Sequence, residues 1–342
     1  MKIAIHHRPG SFSDIWVNYC ESHNIPYKLV NCYDPDIINH LNDCDGLMWH
    51  WPQWDEKAIL FARQLTYSLE KAGKKVFPDS QTCWHFDDKV GQNYLFQALN
   101  IETIPTWIFY DKNVARNWID GAQFPLVFKL RGGASSENVK LLKSKTEAYK
   151  KIKQAFGKGF KIHDKWYKLK DRISKFNRKK TFENFLGILK GVVRLFVKKE
   201  GEKQRVREKG YVYFQKFIQG NDSDIRLVVI GGSRCYGMRR YCRTDDFRAS
   251  GSGVSSYDHN NIEPEAVSQA FKIAEILKMQ SAAFDFIKED GKFKLVEVSY
   301  AFVSKSFPGY WDQNLHWHEG TASPQEFMAQ NFINSVVNDE QQ

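Results

Sequence analysis

The sequence predicts an α/β chain in which a small parallel sheet precedes a strand-rich region built of hairpins. Three observations predict it. Over the first eighty residues, short β-prone runs alternate with helical patterns, the signature of a parallel sheet with helices on its faces. From Tyr211 the chain turns strand-rich, with "YVYFQKFI", "DIRLVVIGG" and "SRCYGMRRYC" in close succession. Residues 282–302, "AAFDFIKEDGKFKLVEVSYAF", are two apolar-rich runs joined at Asp290-Gly291, a strong hairpin signal.

Taken in order, residues 2–6, 27–32 and 46–51 read as strands, with 75–78 as a fourth. The clearest helix between them covers 56–72. No GxGxxG occurs here, so dinucleotide binding is not indicated. A helix over about 87–99 leads to a strand in "IPTWIFY", then to "FPLVFKLRGGASSENVKLL", a strand, a small-residue loop and a second strand. Residues 151–209 are lysine-rich with embedded apolar positions. Beyond them come a hairpin turning at Gly231-Gly232, a helix around 265–278, and a C-terminal loop with a closing helix over 324–336. The expected organisation is an N-terminal α/β domain at 1–82, a central subdomain at 83–150, a basic helical insertion at 151–209 and a C-terminal subdomain at 210–337.

Composition narrows the class. A chain of 342 residues, 42% hydrophobic and 15% aromatic, suits two or three packed subdomains. It has no run of 18 uncharged apolar residues, so no transmembrane helix is expected. "MKIAIHHRPG" lacks the apolar core of a signal peptide. Cysteines 20, 32, 44, 83, 235 and 242 form no CxxC, and read as reduced thiols of a cytoplasmic protein. The net charge of +10 invites a nucleic-acid reading until it is located. Residues 158–209 hold 18 Lys or Arg against 6 Asp or Glu, more than the whole surplus. A charge confined to one segment argues against a nucleic-acid surface.

Two stretches carry candidate chemistry. In the Asp-Gly hairpin, a three-residue loop at Glu289-Asp290-Gly291 would set Asp285 opposite Leu295 with Glu297 diagonal to it on one face. Diagonal neighbours are roughly 7–8 Å apart, close enough for two carboxylates to share a small cation. A strict two-residue turn at Asp290-Gly291 would put the acids on opposite faces, and solvent-facing acids on an edge hairpin are the competing reading. In "FPLVFKLRGGASSENV", Lys129 ends a strand before a loop of small residues. One positive charge beside close backbone N–H groups can cradle phosphate, although no GK[ST] follows and a surface loop competes. Arg226, Arg239, Arg240 and Arg248 recur on or beside the strands of residues 224–253, which suits a site for several phosphate charges.

The order of Lys89, Lys129 with its small-residue loop, "YFQKFI", "DIR", "DFR" and the Asp/Glu hairpin resembles the ATP-grasp superfamily, and most of all the RimK-type glutamate ligases. The resemblance runs over about 79–302, interrupted by the basic segment. It implies an ATP-grasp fold preceded by the small parallel-sheet domain. It also implies that Lys89 and Lys129 contact ATP phosphates, and that Gly132, Gly133, Ser135 and Ser136 belong to the loop closing over them. Gln215, Lys216, Phe217 and Ile218 resemble the adenine hinge, and Asp224 an ATP-contacting acid. Arg248 with Ser250 stands where the family has an Arg-x-Asn group near the phosphates. Asp285, Glu297 and Ser299 match the ligands of magnesium, for which manganese is an acceptable substitute. Three positions depart from the pattern: Lys216 replaces a glutamate, and Ser250 and Ser299 replace asparagines, so one coordination site is expected to be filled through water.

The implied reaction joins a carboxylate substrate to an amine substrate through an acyl phosphate at the expense of ATP. Arg226, Arg240 and Arg248 are the candidates for holding the acyl phosphate and tetrahedral intermediate, whereas Arg239 is the one most suited to a surface ion pair. A catalytically inactive nucleotide- or partner-binding module is the alternative of different class. His6, His7 and His50 end N-terminal strands, where α/β sheets bind ligands. "MWHWPQW" and "FPGYWDQNLHWHEG" are candidates for lining a substrate cleft, against aromatic core packing. In the insertion, Phe182, Phe185, Leu186, Leu189, Val192, Val193 and Phe196 keep helical spacing, with Lys179, Lys180, Lys190, Arg194, Lys198 and Lys199 between or beside them. Such a helix suits an anionic membrane surface or packs on its own protein. The first case places the protein peripherally at the inner face of the membrane and points to a surface glycan whose uronic acids are amidated. The second leaves a peptide or protein tail as substrate. A homo-oligomer is compatible with either.

Overall fold

The computed structural model describes all residues except 134–137, 162–168, 170–171, 174–175, 177–179, 197–206, 243–245, 250–253, 304 and 340–342. The chain forms two compact units, one of Met1–Ile104 with Ile218–Gln342, the other of Pro105–Phe217.

In the first unit, β1 (Ile3–His6), β2 (Tyr27–Val30), β3 (Gly46–Trp49) and β4 (Lys75–Phe77) form a parallel sheet in the order β2-β1-β3-β4. Helices α1 (Phe12–Ser22) and α2 (Glu56–Lys71) run between strands, and α3 (Lys89–Ala98) follows the sheet. Each begins at a short polar residue, Ser11, Asp55 or Asp88, whose side chain accepts a hydrogen bond from a first-turn N–H. That satisfies a donor the helix cannot satisfy itself.

The second unit holds β5 (Thr106–Phe109), α4 (Lys112–Gly121), β6 (Leu126–Lys129), β7 (Lys140–Leu142), α5 (Lys145–Ala155), α6 (Phe182–Phe196) and β8 (Val212–Lys216). Its antiparallel sheet has the order β5-β8-β6-β7. Phe128, Phe214, Ile119, Ala148 and Ile152 fill the core between that sheet and α4 and α5.

Past Ile218 the chain returns to the first unit. There β9 (Ser223–Ile230), β10 (Arg234–Tyr241), β11 (Ser255–Ser256), β12 (Ser281–Glu289), β13 (Lys292–Ser299), β14 (Phe307–Trp311) and β15 (Trp317–Ala322) build a sheet ordered β13-β12-β9-β10-β14-β15, with β11 on β10. Helix α7 (Pro264–Leu277) covers one face, its Ala270, Ile273 and Leu277 packed with Leu227, Phe284 and Leu295. Helix α8 (Pro324–Asp339) packs on the other face together with α1. The C-terminal region is more than the loop and helix expected. Residues 307–322 form a hairpin, because Phe307 and Trp311 alternate into the core and Pro308 falls in a register shift between Phe307 and Gly309, where the ladder leaves it unpaired.

The Asp-Gly turn corrects the expected loop. Glu289 pairs with Lys292, so the connection is two residues, Asp290 (φ 49°) and Gly291 (φ 79°). Two positive φ values make a turn whose twist matches the strands. Strict alternation would then place Glu297 on the core face with Phe293 and Leu295. A register shift intervenes: Phe286 pairs with Leu295 but Asp285 pairs with Glu297, leaving Val296 as the extra residue. The bulge reverses the parity, and the burial follows, with Leu295 buried before it and Val298 and Tyr300 after it.

Candidate functional site

The bulge brings Asp285 and Glu297 directly opposite each other on one face, with Ser299 one alternation further along. Across the next strand pairs, Asp285 lies opposite Arg226, and Asp224 opposite Arg240. The side chains join accordingly. Arg226 donates from Nε and a terminal nitrogen to the two oxygens of Asp285, both at 2.7 Å. Arg240 donates to Asp224 at 2.6 and 2.7 Å and reaches Asp285 at 2.8 Å. Glu297 pairs with Lys89 Nζ at 3.1 Å. Asp224 and Asp285 are therefore bridged by one buried guanidinium, and three cations face three carboxylates.

Burial opposes ionisation of Asp285, yet Arg226 and Arg240 hold its carboxyl well below the usual carboxylate range. At Asp224 burial outweighs Arg240 and pushes the carboxyl upward. The site thus has two unlike acids, one firmly ionised and one more readily protonated.

Lys89 owes its position to α3. It is the first residue of that helix and is buried. One turn on, Gln92 donates to the Val298 carbonyl at 2.7 Å and accepts from its N–H at 3.2 Å, so α3 is clamped to the strand carrying Glu297. Gln92 was not singled out from the sequence, since a lone glutamine in a helix carries no local signal of its partner.

The other expected residues fall as follows. Lys129 ends β6 and is buried. In the loop after it, the N–H groups of Arg131 and Gly132 donate to the Glu208 carboxylate at 3.1 and 3.2 Å, with Tyr211 bonded to the same carboxylate. These amides do bind an anion, here an internal one. Glu208 too was missed, lying 76 residues beyond Gly132 in the chain. Gly133 has a positive φ of 111°, while Ser135 and Ser136 lie outside the described residues. Gln215 is buried and donates to Thr106 Oγ1 at 3.0 Å, and Lys216 ends β8 exposed. Phe217 and Ile218 stand where the chain passes from one unit to the other. Arg248 is bound to Asp246, with Nε at 2.8 Å from Oδ1, and Ser250 lies outside the described residues. Ser299 Oγ donates to the Ala301 carbonyl at 2.7 Å, which leaves its oxygen able to accept or ligate. Arg239 is engaged on the surface with Glu263 at 2.5 Å and the Asn261 carbonyl at 2.8 Å.

The donor set suits magnesium. Asp285 and Glu297 offer hard oxygens from adjacent strands, and three N–H bonds at Asp285 leave a lone-pair direction open, since a carboxylate accepts about four. Among the described residues no group of three or more His, Cys, Asp or Glu is placed to hold a metal. An ion here would complete its shell with water and phosphate, as magnesium does.

An antiparallel sheet carrying these carboxylates, following a parallel-sheet domain, defines the class: the chain has an ATP-grasp fold. Residues 186–314 match the family described as the RimK-like ATP-grasp domain, a stretch that begins inside the basic segment. D-alanine–D-alanine ligase from Bacillus anthracis is 15% identical, with a TM-score of 0.53, 100% of this chain and 99% of that one covered. A RimK domain ATP-grasp protein from Sphaerobacter thermophilus is 14% identical, with a TM-score of 0.52 and coverage of 97% and 100%. The biotin carboxylase domain of the Hydrogenobacter thermophilus 2-oxoglutarate carboxylase, described in complex with MgADP, is 11% identical, with a TM-score of 0.55 and coverage of 97% and 69%. No curated protein matches the chain. The matched domain and the solved structures agree on the ATP-grasp fold.

Proposed function

We propose that the protein is an ATP-dependent carboxylate–amine ligase. The observation that carries this is the pairing of Asp285 with Glu297 on one face, ringed by Lys89, Arg226 and Arg240, within an ATP-grasp fold. In the first step a substrate carboxylate oxygen bonds to the γ-phosphorus of ATP, the bond to the β-phosphate oxygen breaks, and ADP leaves. In the second step a neutral amine nitrogen bonds to the acyl carbon. The carbon–oxygen bond to phosphate then breaks, a proton is released, and an amide and inorganic phosphate result.

Arg226, Arg240 and Arg248 hold the acyl phosphate and the tetrahedral oxyanion, where fixed guanidinium forks stabilise developing charge. Lys89 and Lys129 hold ATP phosphates, with the N–H groups of Arg131 and Gly132 suited to the same task. Asp285 and Glu297, with Ser299, would hold Mg²⁺, which when bound spreads the charge of the phosphoryl oxygens. The test is ADP release, assayed with acids and amines singly and together. Turnover that needs both supports the ligase, and ATP binding without such turnover supports the inactive binding module.

We infer further that the acceptor lies at an anionic membrane surface, as would a glycan with uronic acids amidated by an amino acid. This is favoured over a soluble peptide or protein tail by α6. Its Gly191 faces inward, where a Cβ would meet Leu169 at 2.9 Å, and Arg172 donates to the Gly187 carbonyl at 2.5 Å. The opposite side carries Phe182, Phe185, Leu186, Leu189, Val192 and Val193, all exposed, Phe182 at 75%. Lys180 and Lys190 are exposed beside it, while Lys179, Lys198 and Lys199 lie outside the described residues. An outward apolar stripe between cations suits the acyl boundary of an anionic bilayer. Sedimentation with anionic liposomes checks it: binding by the intact protein, lost on removing residues 160–208, supports the arm. No binding by the intact protein removes the reason for preferring a glycan.

A further inference from the structure

The parallel sheet of the first unit ends in a polar cluster that the ligation chemistry does not use. Arg8 follows β1 and His50 follows β3, while Trp54 precedes α2. The Arg8 guanidinium lies over the Trp54 ring, 4.9 Å from its centroid. Its Nε is buried without a hydrogen-bond partner, and among the described residues no carboxylate forms an ion pair with it. The acids of this edge are committed elsewhere. Asp55 accepts from the Ala58 N–H at 3.1 Å and from the Tyr33 hydroxyl at 3.2 Å. Asp14 accepts from the Gly10 N–H at 2.8 Å and stands 3.7 Å from His7.

His50 is buried and stacked on Phe12, ring centroids 3.8 Å apart. Its Nδ1 accepts from the Phe12 N–H at 3.5 Å, so the ring proton sits on Nε2, and that nitrogen has no partner. Burial first, then the nearby Arg8 charge, push its pKa down to about 3, so the ring is a neutral donor at physiological pH. The cluster adjoins the strand of the candidate site. Three residues beyond Glu297, the Tyr300 hydroxyl donates to the Trp51 carbonyl at 2.7 Å, and Phe302 lies 5.0 Å from Phe12.

A half-buried guanidinium without an acid, beside a buried N–H donor without an acceptor, costs stability unless an anion completes it. We propose that Arg8 and His50 form a subsite for a non-reacting carboxylate of one of the two substrates, with Trp54 as the floor beneath the guanidinium. The proposal rests on the ligase reading. With the indole on one side, the guanidinium keeps a planar fork of N–H donors, the group that meets a planar carboxylate bidentately. One cation and one neutral donor balance a single negative charge, not a phosphate dianion. The substrate class follows: an amino acid with a free α-carboxylate or an acid bearing a second carboxylate, rather than a simple amine or monoacid.

The test is calorimetric titration of the full chain with L-alanine, L-glutamate and D-glucuronate, beside L-alaninamide, glucose and inorganic phosphate. At least one carboxylate binds while its neutral counterpart does not. Arg8→Ala weakens that binding about ten- to a hundred-fold, the worth of a charge-assisted pair, and Arg8→Lys, which keeps the charge but not the fork, weakens it less. ATP affinity stays at its wild-type value, and the melting temperature of the ligand-free Arg8→Ala protein does not fall. The proposal is overturned if no carboxylate binds the wild type, if Arg8→Ala binds as the wild type does, or if phosphate binds more tightly than every carboxylate. The ATP titration on the same preparations keeps the two readings apart: carboxylate binding without ATP binding leaves the subsite standing and removes the ligase.

Discussion

Asp285 and Glu297 face each other across β12 and β13 because Val296 is one residue too many for the ladder. Their surroundings differ. Asp285 is buried between two guanidiniums, whereas Glu297 is partly exposed and paired with the Lys89 ammonium.

That difference separates two substitutions of equal charge. Glu297→Gln is expected to abolish ATP turnover, a loss of orders of magnitude for a metal site short of one carboxylate, with little change in urea midpoint. Asp285→Asn is expected to abolish turnover and also to destabilise by about 3–5 kcal/mol, since it leaves buried charge uncompensated. Urea denaturation beside an ADP-release assay reads both. Near-wild-type turnover in either variant would sink the metal assignment.

Neighbouring arginines should behave unlike each other. Arg240 is buried and shared by Asp224 and Asp285, so Arg240→Ala strands Asp224, leaves Asp285 with Arg226 alone, and is expected to cost about 3–5 kcal/mol together with activity. Arg239 sits in a partly exposed pair with Glu263, and Arg239→Ala is expected to cost about 1 kcal/mol or less and spare turnover. Equal losses in denaturation and rate would contradict the separation.

Lys129→Ala is expected to weaken ATP binding far more than Lys140→Ala or Lys143→Ala. Lys129 is buried at the end of β6 beside amides that bind an anion, while Lys140 and Lys143 are exposed. An ATP titration of the three variants decides it, and equal effects would remove the phosphate role of this loop.

Acid should weaken the fold through buried histidines. Burial pushes His50 down to about 3 and His85 to about 4, below the ordinary value near 6.5. Between those values the unfolded chain binds more protons than the folded one, so the contribution is complete above about pH 6.5 and is lost as pH falls. Each histidine costs up to about 1.4 kcal/mol per pH unit. Urea midpoints should drop from pH 7 to 5, with a shallower slope in His50→Gln/His85→Gln. An unchanged slope would mean that neither ring is held neutral by burial.

By itself the sequence determined the elements whose signals are local. Alternation at 2–6, 27–32, 46–51 and 75–78 marked the parallel strands, since a buried strand shows its apolar run wherever it sits. The order of Lys89, Lys129, "DIR" and the Asp/Glu hairpin marked the ATP-grasp fold. Only the tertiary structure decided what depends on distant partners. The turn at Asp290-Gly291 was misjudged by one residue, and an unseen bulge at Val296 offset the error, because parity along a strand is lost at any residue the partner strand leaves unmatched. Pairings such as Gln92 with Val298, Glu208 with Gly132, and Tyr300 with Trp51 join residues 76 to 249 positions apart. The hairpin of 307–322 likewise became strand only by pairing to β10. Short-range pattern sets which residues can be strand or helix. Which polar groups meet is set by packing, since each buried donor and charge must find its partner wherever the folded chain brings one.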